Sequence, residues 1–516
     1  MNLKDIILPL GLAILTVWGI NYFFGGARAG KDGQSVASSG QTFVAPKELQ
    51  ELSPLNKEID FVDVKSSQAP VITEIETAGA LYQFSTEGAS LERLEFKRQR
   101  GDLLATIYPV SPTEREQRCF LVALTEKTPY YYTLVDQKTN NGVHELVYRA
   151  ETDQAVVQKK YSVYDNTYKV DLEVTIKPKQ NELNTTGIVP RIFFPAPVMP
   201  DVAKDVISAV YNNQKGSIEK TARENLNVQQ GWFAPSLFGL EDRYFVHALV
   251  ANPSGFARRA YYTTTEKARL TAILEASAVT ADTTWKLSFY FGPKEQEAFA
   301  LVDKRLDQTL DYSGIFLGPF SWVLLFLLKL LYSFVHNYGV AIILLTLLIK
   351  LILLPFTFRS DEAMKKRAEF DKKLRYLQQK YKEDPDMLAR ERAELVKKHG
   401  MPGLAGCLPL LIQFPIFIAL SRVLSGSIEM YRAPFCCWIR DLSVPDHYYV
   451  LPLLLVISMI MQALTADKSQ RFTLLAMALL FGAITSNLAA GLTIYILMNT
   501  VLTVLQTYIV GKIRAR

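Results

Sequence analysis

Lys350 is the residue whose placement most demands chemistry. It sits in ILLTLLIKLILLPFT, residues 343–357, one charge inside an otherwise apolar run. A lysine at the centre of a membrane span costs at least ~2.5–3.5 kcal/mol, so something must offset it. If the span ends at Phe358, the ammonium starts about 12 Å from the inner boundary. If Pro355 ends it, the distance is about 7.5 Å and the stem can snorkel to the headgroups. From this residue alone, a snorkelling anchor and a functional charge are both open. Thr346 lies one turn earlier on the same face. Gln413 interrupts LLIQFPIF, Thr485, Ser486 and Asn487 cluster, and Thr493, Tyr495, Asn499 and Thr503 follow in the last apolar run. Such groups often only join helices. No acid lies in these runs to pair with Lys350, and an unpaired cation needs water, which favours a hydrated cavity lined by these side chains.

Other chemistry is scarce. We find no nucleophile with a base, no paired carboxylates, no phosphate-binding glycine loop and no metal-ligand set, so neither an enzyme nor a cofactor is expected. His144 and His247 are isolated and read as structural. Tyr130, Tyr131 and Tyr132 read as strand packing rather than a sugar platform. The four cysteines, Cys119, Cys407, Cys436 and Cys437, form no CxxC pair. The adjacent two read as thiols rather than a strained ring disulfide. A net charge of +6 is too mild to imply DNA binding.

The elements that must carry these residues divide the chain in two. Residues 1–24 contain an apolar run, Ile6–Phe24, long enough to cross a bilayer as a retained anchor; residues 25–46 are a Gly/Ser-rich linker. Residues 47–311 alternate in the strand manner, as in Lys159–Ile176 and Leu81–Phe96, with turn signals at Glu87–Gly88 and Asp165–Asn166. They predict a large antiparallel sandwich. Beyond it, spans are expected at Gly339–Phe358, Leu404–Leu424, Tyr448–Leu464, Phe472–Ser486 and Leu488–Val510. The run Phe320–Val335 is separated from the Lys350 span by only His336, Asn337 and Tyr338, too few for a hairpin of two spans. Residues 312–337 therefore predict an amphipathic helix in the outer interface. Residues 359–400 are strongly basic and belong inside by the positive-inside rule. Phe370, Leu374, Leu377 and Tyr381 make one apolar stripe there, and Met387, Leu388, Leu395 and Val396 the facing one, a helical hairpin. That gives six spans, both termini cytoplasmic, residues 47–311 outside and a short basic tail, 511–516.

The stretch GLAGCLPLLIQFPIFIALSRVLSGSIEMYRAPFCCWIRDLSVPDHYYVLPLLL resembles the hallmark region of the YidC/Oxa-type membrane protein insertases. The similarity spans roughly Asp311–Val510, and the anchor with its outer sandwich is similar to the Gram-negative form. The resemblance implies a multidomain membrane protein: an all-α five-helix insertase core over 338–510, an N-terminal transmembrane anchor, and a mainly β periplasmic domain of super-sandwich type. It implies a hydrophilic groove open to cytoplasm and lipid, in which Lys350 takes the place of an arginine common in relatives. Thr346, Gln413, Tyr495 and Asn499 would line that groove. Lys365, Lys366, Arg367, Lys372, Lys373 and Arg375 on the hairpin would contact substrate or ribosome. It further implies a non-enzymatic insertase and chaperone in the bacterial inner membrane, working as a monomer on nascent membrane proteins, with the lipid bilayer, the Sec translocon and the ribosome as partners. A polytopic transporter or channel with an outer ligand-binding domain is the alternative. It would predict inverted repeats, and none is visible between the spans.

Overall fold

The computed structural model describes most of residues 55–514; outside it lie residues 1–54 and, among others, 63–68, 111–114, 180–186, 198–206, 213–215, 265–269, 311–317 and 400–407. The expected anchor and linker fall outside the described residues. The chain divides into two compact units between Leu310 and Asp311.

The outer unit is mainly β-sheet. Its largest sheet has nine antiparallel strands, running in space Ile218–Ala222, Ser208–Asn212, Phe238–Glu241, Phe245–Ala251, Thr283–Pro293, Lys169–Pro178, Ala155–Tyr164, Val143–Glu151 and Thr133–Asn140. The period-two pattern read from the sequence is visible in the central hairpin. From Ala155 to Tyr164 every second residue is buried, and Lys169–Pro178 repeats the alternation. A five-stranded and a four-stranded antiparallel sheet supply aromatic residues to the buried face of the large sheet. Phe84 meets Tyr161 at 4.7 Å, Phe96 stacks on Phe245 at 5.0 Å, and Tyr262 stacks on Phe238 at 4.3 Å. Rings of this size bury much apolar area each, so they dominate the core. The turn signals also hold: Gly88 has φ +67°, where a Cβ would be strained, and Asp165 and Asn166 fall between the two strands of the central hairpin.

Two features of this unit have no counterpart in the sequence reading. Lys159 falls on the inward parity of its strand and is fully buried. Its ammonium donates to the carbonyls of Gly88 (2.6 Å), Ala89 (3.2 Å) and Phe120 (2.7 Å), pinning two loops to the large sheet. Leu55, Ile59 and Phe61 pack as a strap on Leu121, Ala123, Phe193, Tyr261 and Ile273. The strap is fastened by a parallel pairing of Asp60–Val62 with Lys127–Pro129 and by Arg191 donating to the Glu58 carbonyl at 3.0 Å.

Among the described residues the outer unit has one α-helix, α1 (Gln296–Val302). The second unit contributes α2 (Gly318–Val335), α3 (Tyr338–Lys380), α4 (Pro385–His399), α5 (Leu408–Gly426), α6 (Val450–Thr465), α7 (Lys468–Thr485) and α8 (Ala490–Arg514). Helix α2 packs on α3 and α5, α8 on α3 and α6, and α6 on α7. Gly482 lets α7 approach α6 closely, since a Cβ there would lie 2.4 Å from Val456. The outward faces carry Leu347, Leu351 and Ile352 on α3, Leu453, Ile457 and Met461 on α6, and Leu505, Tyr508 and Ile509 on α8. Exposed apolar rows on successive helices suit a lipid surround, where helical backbone leaves no polar group unpaired. By length and composition α2 and the Ala490–Ile509 part of α8 suffice to cross a membrane; the apolar parts of α3, α5, α6 and α7 are shorter.

Of the two limits left open for the Lys350 span, Pro355 does not end the helix: α3 continues unbroken through it into the basic segment, as membrane helices tolerate proline. One sequence reading needs correction. The hairpin forms at Tyr381–Asp384, with Asp384 accepting from the Met387 amide, but Met387 itself is exposed; Leu388, Glu391 and Leu395 are the half-buried positions of α4. Glu391 and Leu395 continue the face of Leu388, whereas Met387 sits about 100° away from it.

Candidate functional site

The geometry around Lys350 is set by two helices. Its ammonium donates to the Thr503 hydroxyl at 2.8 Å, from α3 across to α8. Thr503 in turn donates to the Asn499 carbonyl at 2.7 Å, one turn back. Thr500 and Thr507 bond the carbonyls four residues before them in the same way. Threonine can place its hydroxyl so without leaving the helix, which frees the oxygen's lone pairs to accept. Lys350 has no acidic partner among the described residues. The acid that α2 and α5 bring into this unit is already taken: Glu429, in the turn Ile428–Met430, is buried and pairs with Lys329 of α2 at 3.0 Å.

The expected groove residues fare differently. Thr346 is buried and bonds the Ile342 carbonyl at 2.7 Å, satisfied within its own helix. Tyr495 is buried, its ring 6.4 Å from Phe417 of α5. Asn499 is half-buried. Gln413 lies on α5, with its side chain outside the described residues. Thus Lys350 and Thr503 come together at the α3–α8 contact, with only the backbone carbonyl of Asn499 joined to them through Thr503. The sequence reading named Thr503 among the polar residues of the last run without singling it out. On the hairpin, Lys373 is exposed; Lys365, Lys366, Arg367, Lys372 and Arg375 lie on α3 with side chains outside the described residues.

The start of α3 is a built corner. His336 takes a left-handed backbone, φ 51°. Asn337 caps the helix by accepting from the Val340 amide at 3.1 Å and donates to the Phe435 carbonyl at 2.8 Å, the usual role of asparagine at this position. Tyr332 stacks on Tyr338 at 3.9 Å, and the Phe435 ring rests on Gly339.

The outer unit offers no comparable centre. Among the described residues no group of His, Cys, Asp and Glu could hold a metal. His144 bonds Thr139 and Asp165, and Tyr130 bonds Glu87 beneath Arg115, so both serve packing. An open cleft near Pro235, Asn252 and Arg258 includes Arg305, whose donors are engaged by Asp303, Ser236 and Val250.

A bundle of apolar helices with a half-buried lysine that has no acidic partner among the described residues, joined in one chain to a large β domain, defines a membrane protein with a sheet module. Residues 330–516 match the family described as 60Kd inner membrane protein, and residues 73–324 match the YidC periplasmic domain. The membrane protein insertase YidC of Citrifermentans bemidjiense is 30% identical over 83% of each chain, and that of Geobacter metallireducens 28% over 92% of each. A solved active YidC insertase with its first transmembrane domain is 16% identical, with a TM-score of 0.35, over 88% of this chain and 95% of that one. The chain belongs to the YidC family of membrane protein insertases. It is an inner-membrane insertase rather than an enzyme.

Proposed function

We propose that insertion runs through a polar groove centred on Lys350, with Thr346, Gln413, Tyr495, Asn499 and Thr503 on its walls. A hydrophobic client segment lies against α3 and α8 while an acidic or polar flank is drawn partway across by the ammonium. The apolar part then moves into lipid past the exposed leucines and isoleucines, so burial supplies the driving force and no bond is broken. The single observation that carries this reading is the Lys350 ammonium itself, held by a hydroxyl and lacking a carboxylate partner among the described residues. Charges inside membranes are rare, and those that occur usually mark a functional path.

On this reading α3 and α5 to α8 are the five-span core. Helix α2 lies in the outer interface, a placement supported by the two-residue corner after Val335 and by the exposed Trp322 and Phe326 on its far face. Both termini are cytoplasmic, and the outer unit is a periplasmic super-sandwich. The basic hairpin, with Lys365, Lys366, Arg367, Lys372, Lys373 and Arg375, receives clients from the ribosome. The chain acts as a monomer, alone or beside the Sec translocon, and chaperones the folding of what it inserts.

Reconstitution of the full chain in liposomes tests the charge. Lys350→Glu should abolish insertion of a client with an acidic outer tail and spare one whose tail is neutral, whereas Lys350→Arg should insert both. Normal insertion of the acidic client by a stably reconstituted Lys350→Glu chain would refute the role.

A further inference from the structure

The turn between α5 and α6 carries two adjacent cysteines that insertion does not use. Cys436 and Cys437 are adjacent in the chain, both free and both exposed. Cys437 is held in left-handed backbone, φ 54°, a strained setting for a residue with a Cβ. The backbone on either side is fixed. Phe435 donates to the Ile439 carbonyl and Ile439 to the Cys436 carbonyl, both at 3.0 Å, Leu442 donates to Ala433 at 2.9 Å, and the Trp438 indole donates to Asp446 at 2.9 Å. A rigid turn thus presents two thiols side by side to the surroundings.

We propose that Cys436 and Cys437 are a modification site, a vicinal dithiol that small disulfide oxidants convert reversibly to a ring disulfide. A thiolate of the pair attacks one sulfur of the oxidant, releasing one oxidant thiol and leaving a mixed disulfide. The neighbouring thiol gives its proton to water and attacks the protein sulfur of that mixed disulfide, releasing the second oxidant thiol. Two protein thiols become one disulfide, and one oxidant disulfide becomes two thiols. The second attack is intramolecular, between residues adjacent in the chain. The small ring is strained, which makes the product easy to reduce again. Partial burial, and then the hydrogen bond with Cys437, hold the Cys436 thiol above its ordinary value, so oxidation quickens toward alkaline pH.

The turn also touches the corner from which the Lys350 helix starts. Asn337 donates to the Phe435 carbonyl, one residue before the pair, and the Phe435 ring rests on Gly339. Ring closure therefore loosens the cap of α3.

The site is independent of the insertase reading. The full-length chain is treated with oxidised glutathione, alkylated with iodoacetamide and mapped by trypsin, which releases both cysteines in one peptide, Ala433–Arg440. Expected is loss of two hydrogens from that peptide, protection from alkylation, and recovery after reduction. Cys437→Ser should stop at the glutathione adduct on Cys436. Full alkylation after oxidation, persistent glutathione adducts on the unaltered chain, or a bridge to Cys119, Cys407 or a second chain would each overturn the proposal. Faster hydrogen exchange at the Val340 amide in the ring-closed form is expected, and unchanged exchange there overturns the link to α3.

Discussion

His247 should make the outer unit acid-sensitive, by an amount the structure sets. Its side chain is fully buried on the strand Phe245–Ala251. Nδ1 lies 3.0 Å from the Pro195 carbonyl and so must carry the proton that it donates there. The ring stacks on Phe291 at 4.2 Å, and Nε2 has no partner. A second proton would put a charge on Nε2 with nothing to accept from it. Burial accordingly holds the pKa down at about 3, from 6.5, with the Pro195 hydrogen bond opposing only in part. The direction follows from which state takes the proton first. As pH falls below 6.5 the unfolded chain protonates and the folded one does not, so stability declines from there until about pH 3. Between pH 7 and pH 5 the loss is about 2 kcal/mol, and its acid limit is about 5 kcal/mol. Native-state hydrogen exchange at the amides of Phe245–Ala251, in the full chain and corrected for intrinsic rates, measures this. Asn at 247 keeps a donor near Nδ1 but cannot titrate. His247→Asn should start less stable, because it lacks the ring on Phe291, and then lose about 2 kcal/mol less than the unaltered chain over the same range. Parallel pH profiles for the two proteins would refute the argument.

Three further perturbations follow from particular contacts. Lys159→Met strips three buried carbonyls of their donor and should destabilise the outer unit by about 3–5 kcal/mol, seen as protease cleavage within it under conditions where the unaltered chain resists. Gly339→Ala places a Cβ 2.1 Å from the Phe435 ring; the resulting overpacking should cost about 1–3 kcal/mol and lower the thermal midpoint of the helical unit in detergent, with Phe435→Leu restoring part of it. Thr503→Val removes the acceptor of a charged donor, worth about 1.5–3 kcal/mol. Insertion of acidic-tailed clients should change by about tenfold or more while neutral-tailed clients are spared, and Thr503→Ser should behave as the unaltered chain.

Strands were legible where one face is buried, because a period of two survives even in polar sequence; Lys159–Ile176 shows it. Even Lys159 obeyed the period, standing in line with Ala155, Val157, Tyr161 and Val163. Its parity was a signal, but residue type suggested solvent. What sequence could not supply is pairing at a distance: Thr283–Pro293 lies beside Lys169–Pro178, and Asp60–Val62 pairs in parallel with Lys127–Pro129. The helices of the second unit were legible from hydrophobic length, with limits displaced by a few residues; α7 starts at Lys468, before the expected Phe472. The site was half legible. A charge in an apolar run announces Lys350, whereas its partner lies 153 residues away among several threonines that a single helix cannot rank.

Three lysines in this chain meet burial in three ways, and on the proposed charge-transfer reading the contrast picks out the one suited to a client. Lys159 gives its ammonium to three carbonyls, so a carboxylate arriving there would have to pull two loops from the sheet. Lys329 is matched by the buried carboxylate of Glu429, which would lose this ion pair if the lysine turned away. Lys350 is held by a single hydroxyl, a neutral acceptor that already has its own helix carbonyl to donate to. Exchanging that hydroxyl for a client carboxylate sacrifices one hydrogen bond and gains a charge-assisted one, roughly twice as strong. Thr503 keeps its bond to Asn499 throughout, so nothing in α8 has to unwind. Release needs the same small step in reverse: as the client's apolar segment enters lipid and its carboxylate reaches water, the hydroxyl takes the ammonium back. A tighter partner at this position would hold the cation more firmly and make it useless for transfer; a weak, self-satisfied threonine lets it bind and let go.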